Sequence, residues 1–458
     1  MSFNNRISND AFPHPEPSSE VSTATQQKET TATNESESVE IELRPQDGGR
    51  LAWLQVAGSF FLFFNSWGIL SSYGVFQAYY QEHMKHVSAD SIAWIGSIQS
   101  SLLLFTGVLV GPLYDAGYFR SLTFTGITLI FLGMTMTSIA TAYWQVLLAQ
   151  AFCVGLGSGC IYIPSVSIIP QYFSERRALA TGLVATGSSL GGVVYPLIFQ
   201  SLYPRVGFPW ATRVLAFISL ATNVFAFTVL RQRRRRSTES ESDDESGAVK
   251  RKRRVMLDLS AYRNVSFVVF SAAMFFNFFS YMAPIYYLQQ YSLAHGLSSP
   301  GSSKLAYYLV AILNAGSILG RVFPAWLAGH FGPINVLLGV SISIAAVALS
   351  WLAVHDAAGS VAFALAYGFA SGGLVSLPPT VISSLVPDLN LHGTWLGMLC
   401  TTNAFGSLAG PPIAGVLLQA TGDYLGVQLL SGLGMVAMTI LMLALRVTLV
   451  GKQQSWKV

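Results

Sequence analysis

The chain has 458 residues, of which 52% are hydrophobic and only 10% are charged, and its mean hydropathy is +0.49. Soluble domains carry about 25% charged residues, so this composition excludes an ordinary water-soluble protein. The net charge of +4 arises from basic residues that cluster at a few places in the sequence, which argues against nucleic-acid binding. A membrane protein is the class that this composition predicts.

The first segment of the chain, residues 1–50, is rich in Ser, Thr, Glu, Gln and Asn and holds few large apolar residues. Such a segment cannot bury enough apolar surface to fold, so we expect a disordered cytoplasmic tail. No short apolar core lies near its start, so we do not interpret it as a signal peptide.

Apolar segments bounded by Gly, Pro, charged or turn residues fill most of the remaining chain. A hydrocarbon core of about 30 Å requires about 20 residues of helix, and each segment is long enough to provide them. The segments are residues 52–79, 91–113, 121–141, 144–169, 178–200, 211–230, 265–290, 304–326, 334–354, 358–386, 394–419 and 424–446. The prediction is an all-α membrane protein with twelve transmembrane helices.

A charged stretch, RQRRRRSTESESDDESGAVKRKRR, divides these segments into six and six. We therefore predict an N-terminal six-helix bundle over 51–230, a charged cytoplasmic linker over 231–264, a C-terminal six-helix bundle over 265–446 and a cytoplasmic tail over 447–458. Phosphorylation of the linker serines stays open.

Basic residues accumulate on the cytoplasmic side of membrane segments. With both termini inside, only four of the 26 Lys and Arg residues fall outside: Lys85, Arg205, Arg213 and Lys304. This asymmetry predicts cytoplasmic termini, and we expect a monomeric protein of the plasma membrane.

The two halves repeat one another at an offset of about 212 to 215 residues. Phe-Phe-Asn occurs at 63–65 and again at 275–277, and the spacing of Gly182, Gly191 and Pro196 recurs later in the chain. The repeat predicts two pseudo-symmetric bundles in parallel orientation, an arrangement typical of transporters that rock two bundles about a midplane site.

Three local motifs carry a family resemblance. They are Asp47, Gly48, Gly49 and Trp53 at the start of the first span, YFSERRALATG at 172–182, and GPLYDAGYFR at 111–120. With these motifs the chain resembles the major facilitator superfamily and, within it, the fungal monocarboxylate-transporter-like branch. The resemblance covers residues 47–446 and implies the two-bundle transporter fold.

The same resemblance identifies departures from the proton-coupled monocarboxylate carriers, which have a lysine late in span 1 and an Asp four residues before an Arg in span 8. The lysine position falls near Ser71 and the Asp position at Ser317, and only the arginine is kept, as Arg321. Neither the proton carrier nor the lysine anchor is carried over to this chain.

Few ionisable residues lie in the predicted spans, and none of them is Asp or Glu. Arg321 either anchors an anionic substrate or caps the cytoplasmic end of its helix. Polar residues in the membrane either join helices or line a cavity. The candidate substrate-binding residues on this reasoning are Asn65, Asn277, Tyr281, Asn314, Arg321 and Asn403.

Three charged residues are candidates for a gating role, because their loops face one another in the superfamily. Asp115 follows span 2, and Arg176 and Arg177 follow span 4. A salt bridge or helix-cap contact there would favour the outward-open state, whereas the alternative is that these charges only set topology.

The leading functional prediction is a secondary active or facilitative transporter of a small organic molecule, exporting an amphipathic secondary metabolite. The alternatives are an uptake carrier for a monocarboxylate or vitamin-like compound, or a non-transporting sensor on a transporter fold. We expect no enzyme activity, no cofactor, no metal site and no nucleic-acid partner; the partners are the substrate and membrane lipid. Proton coupling stays open because the spans lack a carboxylate.

Overall fold

A computed structural model describes residues 48–233, 259–296, 304–386 and 389–450. Residues 1–47, which include most of the predicted N-terminal tail and Asp47, most of the predicted linker and residues 451–458 lie outside these ranges. Within the described ranges all regular structure is helical. The all-α prediction is therefore confirmed.

Six helical segments form the first half of the chain. They are α1 (Arg50–His83), α2 (Ser91–Asp115), α3 (Phe119–Thr137), α4 (Tyr143–Gln171), and α5 and α6, which are residues 177–206 and 208–229 of the stretch Arg177–Val229. The turn between α5 and α6 is at Gly207, whose φ of 74° is a left-handed conformation that glycine adopts readily.

Six further segments form the second half. They are α7 (Val265–Ala294), α8 (Lys304–Phe331), α9 (Pro333–Ala353), α10 (Ala357–Leu385), α11 (His392–Thr421) and α12 (Leu425–Val450). Among the described residues, ten stretches are long and apolar enough to cross a membrane. The 53-residue stretch Arg177–Val229 is one of them and supplies two crossings. Glycine, proline and polar residues lower the hydropathy of α11, which completes the twelve predicted helices.

Several helices are longer than the sequence indicates. The first helix continues to His83 and the second to Asp115, so Glu82 and Asp115 lie in terminal helical turns. The prediction that no span holds a carboxylate therefore needs correction at these two ends. The last helix passes the predicted boundary at 446 because residues 447–450 continue its apolar sequence.

The two halves meet along two helix pairs, α2 with α11 and α5 with α8. Glycine makes the first contact close, because a side chain at Gly111 would overlap the backbone of Gly393 and one at Gly397 would overlap that of Gly107. Small residues at such positions let membrane helices approach closely. We call the side where α1 begins and α12 ends the terminal face, and the other side the opposite face.

Candidate functional site

A cavity of about 540 Å³ lies between α1 and α5 of the first half and α7 and α8 of the second. Its lining comes from the parts of these helices nearer the opposite face, including Ser71, Tyr79, Pro196, Gln289 and Ala311. Because both halves contribute, a rotation of one half against the other would change the shape of the cavity.

Aromatic and aliphatic side chains with a few polar groups line this cavity. The polar side chains include Ser71, Gln200 and Gln289, and Glu82 is the one charged group among the described residues that line it. Such a lining is typical of sites that bind organic molecules. The predicted lysine position, Ser71, does lie on the cavity wall, next to the interruption of α1 at Ser72.

Glu82 is the lining residue that sequence analysis missed. The predicted first span ended at Tyr79, whereas the helix continues for another turn and places the exposed Glu82 carboxylate on the cavity wall. The local signal was the sequence Gln-Glu-His at 81–83, which continues the helix without a Gly or Pro.

An aromatic layer lies at about the middle of the helices. The Trp67 ring centroid is 5.8 Å from that of Tyr162 on α4 and 5.9 Å from that of Phe278 on α7. Phe278 in turn contacts Tyr281 at 6.4 Å. These rings bring the two halves into contact at their centre.

Arg321 is 3% exposed and joins the two halves. Its guanidinium donates hydrogen bonds to the Ala185 backbone oxygen and the Ser188 hydroxyl on α5, and to Ser317 Oγ on its own helix at 3.2 Å. It also contacts the Tyr281 hydroxyl. In this conformation the guanidinium does not lie on the cavity wall and does not reach the helix end. It bridges α8 and α5 instead, and anchoring of an anionic substrate stays a prediction.

Asn65 lies between helices and not in the cavity. Its Nδ2 donates to Thr222 Oγ1 at 2.9 Å and to Asn223 Oδ1 at 3.0 Å, and its Oδ1 accepts from the Tyr195 hydroxyl. The side chain is fully buried. Asn65 therefore joins α1, α5 and α6, which is the helix-packing alternative that the sequence left open.

Asn277, the repeat equivalent of Asn65, has a different environment. It is 2% exposed, and its Oδ1 has no hydrogen-bond partner among the described residues. The offset of 215 that relates α5 to α11 places Gly410 where the first half has Tyr195. The tyrosine partner of the amide is thus lost, and among the described residues an acceptor stays buried and unsatisfied, at a free-energy cost of about 1 to 3 kcal/mol.

The remaining polar candidates lie on three different helices, Asn314 on α8, Asn403 on α11 and Tyr281 on α7. Asn314 donates to the Val310 oxygen at 3.0 Å and packs against Gly192 of α5. Asn403 is 3% exposed, and its Oδ1 lacks a partner within the described ranges. The Tyr281 backbone oxygen accepts from the Tyr367 hydroxyl at 3.0 Å. Of the six candidates, Tyr281 and Arg321 are in contact with each other.

Asp115 connects the two halves at the terminal face. Its Oδ2 accepts hydrogen bonds from the Thr394 backbone N–H at 2.6 Å and from the Thr394 hydroxyl at 2.7 Å, and its Oδ1 accepts from the Gly393 N–H at 3.1 Å. The carboxylate thus caps the N-terminus of α11 from the end of α2. An anion at this position also interacts favourably with the helix dipole.

Other residues of the predicted motifs also lie at the terminal face. Arg176 immediately precedes α5, and Arg177 Nε donates to the Phe173 oxygen at 3.4 Å. Burial raises the pKa of Tyr172, and the nearby Arg233 and Arg231 oppose this shift. The Tyr172 hydroxyl donates to the Arg231 oxygen at 2.7 Å, which fixes the end of α6.

The motif at the start of α1 has a structural role. Gly49, preceded by Gly48, has a φ of 88° immediately before the helix begins, a conformation that favours glycine. The Trp53 ring packs edge-on against Phe173 at 5.3 Å. The motif therefore starts α1 and holds it against the segment between α4 and α5.

His392 also joins the halves at the terminal face and was not predicted. Its Nε2 lies 3.2 Å from the Pro379 oxygen of α10, and its Nδ1 lies 3.3 Å from Ser167 Oγ of α4. A histidine in the first turn of an apolar helix was the available sequence signal. With Asp115, it holds the halves together at the terminal face while the cavity separates them toward the opposite face.

Comparisons with known proteins agree with this architecture. Residues 56–388 match the profile of the Major Facilitator Superfamily. The chain is 39% identical over 375 residues to the MFS-type transporter dbaD of Emericella nidulans, covering 81% of this chain and 80% of that protein. It is 36% identical over 387 residues to the aspyridones efflux protein apdF of the same organism, covering 84% and 75%.

Two solved structures share the fold. The human organic anion transporter MFSD10 superposes with a TM-score of 0.67 at 14% identity, covering 86% of this chain and 100% of that one. The Escherichia coli fucose:proton symporter gives a TM-score of 0.63 at 18% identity, covering 86% and 98%.

Proposed function

Because the chain belongs to the major facilitator superfamily, and is thus a multi-pass membrane transporter, we propose that it exports an amphipathic small organic molecule. The observation that carries this proposal is the cavity shared by α1, α5, α7 and α8. It is large enough for an organic molecule and lies between the two halves, where alternating access requires a binding site.

The chemistry of the cavity favours a neutral or amphipathic substrate. Aromatic rings and aliphatic side chains offer apolar contact, and Gln200 and Gln289 each offer a donor and an acceptor. The described lining carries no cation, so an inorganic or highly charged anion has no partner there. A relative with 36% identity is named an efflux protein for aspyridones, which supports export of a secondary metabolite.

The transport cycle requires the contacts at the terminal face to break. Opening there would separate Asp115 from Gly393 and Thr394, and move α2 from α11 along the glycine contact. As the terminal face opens, the cavity would close at the opposite face. The conformation described is thus one end state, with the terminal face closed.

The basic-residue asymmetry supports a cytoplasmic terminal face. On that orientation the cavity is accessible from outside, and an exporter would release its substrate from this state. The proposal also includes that the protein is a monomer in the plasma membrane. Protease protection of the linker in intact cells tests the orientation.

Uptake of a monocarboxylate or vitamin-like compound is the second candidate, and Arg321 is the observation that favours it. A buried cation bonded only to neutral groups within the described ranges can pair with a carboxylate if the α5 contact opens. While the contact with α5 is closed, the Arg321 donors are already bonded to Ala185 and Ser188. For this reason we rank export first.

Two probes separate these candidates in cells that express the full chain. Aspyridone A loaded inside the cells is the amphipathic probe, and radiolabelled lactate outside is the monocarboxylate probe. We expect faster release of aspyridone A than from the untransformed host, and no added lactate uptake. Saturable lactate uptake without aspyridone release would establish the second candidate instead.

A further inference from the structure

A second cavity lies within the C-terminal half, apart from the proposed transport route. It has a volume of about 610 Å³ and is bounded by α8, α9, α10 and one residue of α12. It shares no lining residue with the cavity between the halves. Phe323, Phe331 and Phe369 on its wall are 51%, 51% and 41% exposed, so the groove opens toward the lipid.

The groove extends from the terminal face into the membrane. Its shallow end lies at Phe331 and Asn335, where α8 ends and α9 begins, and Ser343 lies two turns deeper on α9. At 1.5 Å per residue, these eight residues span about 12 Å. Half of a hydrocarbon core of about 30 Å is about 15 Å, so the groove has the depth of one leaflet.

The charge in the groove lies at its shallow end, near the terminal face. Arg446 is the one charged side chain among the described residues that line the groove, and it lies four residues before the end of α12 at Val450. This places it about 6 Å along the helix from the terminal face. A guanidinium at that depth can form a bidentate contact with a phosphate.

We propose that this groove binds one anionic phospholipid from the leaflet at the terminal face. The phosphate lies at Arg446, and an acyl chain follows Gly339 toward Phe369. The groove has a cation near the membrane surface and an apolar wall toward the midplane. This order matches the charged headgroup and the apolar acyl chains of a lipid. Basic pockets between transmembrane helices bind anionic headgroups in this way.

The test is lipid retention by the purified full chain. Protein is incubated in mixed micelles with equal amounts of phosphatidylserine and phosphatidylcholine, and the bound lipid is counted by native mass spectrometry. We expect phosphatidylserine to be retained in preference, and Arg446→Gln to weaken that retention about fivefold, the effect of one basic residue near an anionic lipid. Arg120→Gln, at the terminal face of α3 and outside the groove, is the matched control and should retain lipid as the parent does.

A steric variant keeps the proposal testable if Arg446→Gln does not fold. A side chain added at Gly339 meets no atom within 4 Å, so Gly339→Leu should fill the groove without strain and displace the lipid while Arg446 is unchanged. Gly329→Leu, also at an open position but outside the lining, is its control.

Equal retention of phosphatidylserine and phosphatidylcholine, or parental retention by both Arg446→Gln and Gly339→Leu, would overturn the proposal. Displacement of the lipid by inorganic phosphate alone would reassign the groove to a free anion. Displacement by aspyridone A at low concentration would reassign it to a transported compound.

Discussion

The Ser188 hydroxyl on α5 accepts a hydrogen bond from the Arg321 guanidinium on α8, so one buried cation joins the two halves of the transporter. The Ala185 oxygen accepts a second bond from the same nitrogen. This contact lies beside Gly182, where α5 approaches the Arg321 backbone closely enough to exclude a side chain. The bridge is therefore part of the α5–α8 interface and stabilises the described conformation.

Ser188→Ala should lower the thermal stability of the purified protein. A hydrogen bond to a charged group contributes about 1.5 to 3 kcal/mol, and the truncation leaves the cation with one acceptor fewer. The neighbouring Ser189 is equally buried, but its hydroxyl has no partner within the described ranges, so Ser189→Ala is the matched control and should change stability little. Equal melting temperatures for the two variants would contradict the bridge.

Asp115→Ala should populate the state that is open at the terminal face. Loss of a helix cap costs about 0.5 to 2 kcal/mol, which shifts a two-state equilibrium roughly 2- to 30-fold. Cys400 reports the change, because it is buried on α11 beside Gly107 of α2. With Cys153 and Cys160 replaced by Ala, the rate of maleimide labelling of Cys400 should rise by that factor.

Asp356→Ala is the control for this labelling experiment. Asp356 also caps a helix, accepting from the Gly359 N–H at 2.6 Å, but it does so within one half and toward the opposite face. Labelling of Cys400 should stay at the parental rate in this variant. A similar increase in both variants would mean that Asp115 stabilises the fold generally and does not hold the halves together.

The two repeat-related asparagines should respond differently to substitution. Asn65→Ala removes the partner of the Tyr195 hydroxyl and of Asn223, so the melting temperature should fall, each orphaned group costing about 1 to 3 kcal/mol. Asn277→Leu replaces an acceptor that has no partner among the described residues, so stability should hold or rise. If Asn277 binds substrate in another state of the cycle, KM should rise roughly 5- to 150-fold. An unchanged KM in Asn277→Leu would remove it as a binding residue.

Transport should depend only modestly on an imposed pH gradient. The described helices carry carboxylates only near their ends, with Glu82 on the cavity wall and Asp115 engaged in the α11 cap. The measurement is flux in proteoliposomes with and without the gradient, for the parent, Glu82→Gln and Asp115→Asn. Flux that vanishes without a gradient in all three proteins would contradict this account of the ionisable groups.

Most of the fold could be predicted from the sequence, because a membrane span can be recognised from the length of its apolar segment alone. The helix ends were less accurate, since amphipathic turns such as residues 80–83 continue a helix beyond the apolar run. The turn at Gly207 was placed correctly between two spans, although the helix continues closely on both sides of it.

The site was predicted less well, because apolar periodicity does not say which polar residue meets which helix. Asn65 and Asn277 both follow Phe-Phe, but the Asn65 amide bonds to Tyr195 and Asn223, whereas the Asn277 Oδ1 has no hydrogen-bond partner among the described residues. That difference depends on distant positions in the chain. Arg321 was singled out by its charge, but its partners on α5 could not be read from α8 alone.

The cavity between the halves is tested most directly by filling it. Gly74 lies on its wall, and a side chain there meets no atom within 4 Å, so Gly74→Trp should fold normally and occupy the substrate's space. Gly329→Trp, at an equally open position outside the cavity, controls for the added bulk. On the proposed export function, release of the aspyridone A probe from cells should fall to the level of the untransformed host in Gly74→Trp and be retained in Gly329→Trp. Parental release by Gly74→Trp, at equal abundance in the membrane, would contradict the assignment of this cavity as the transport site.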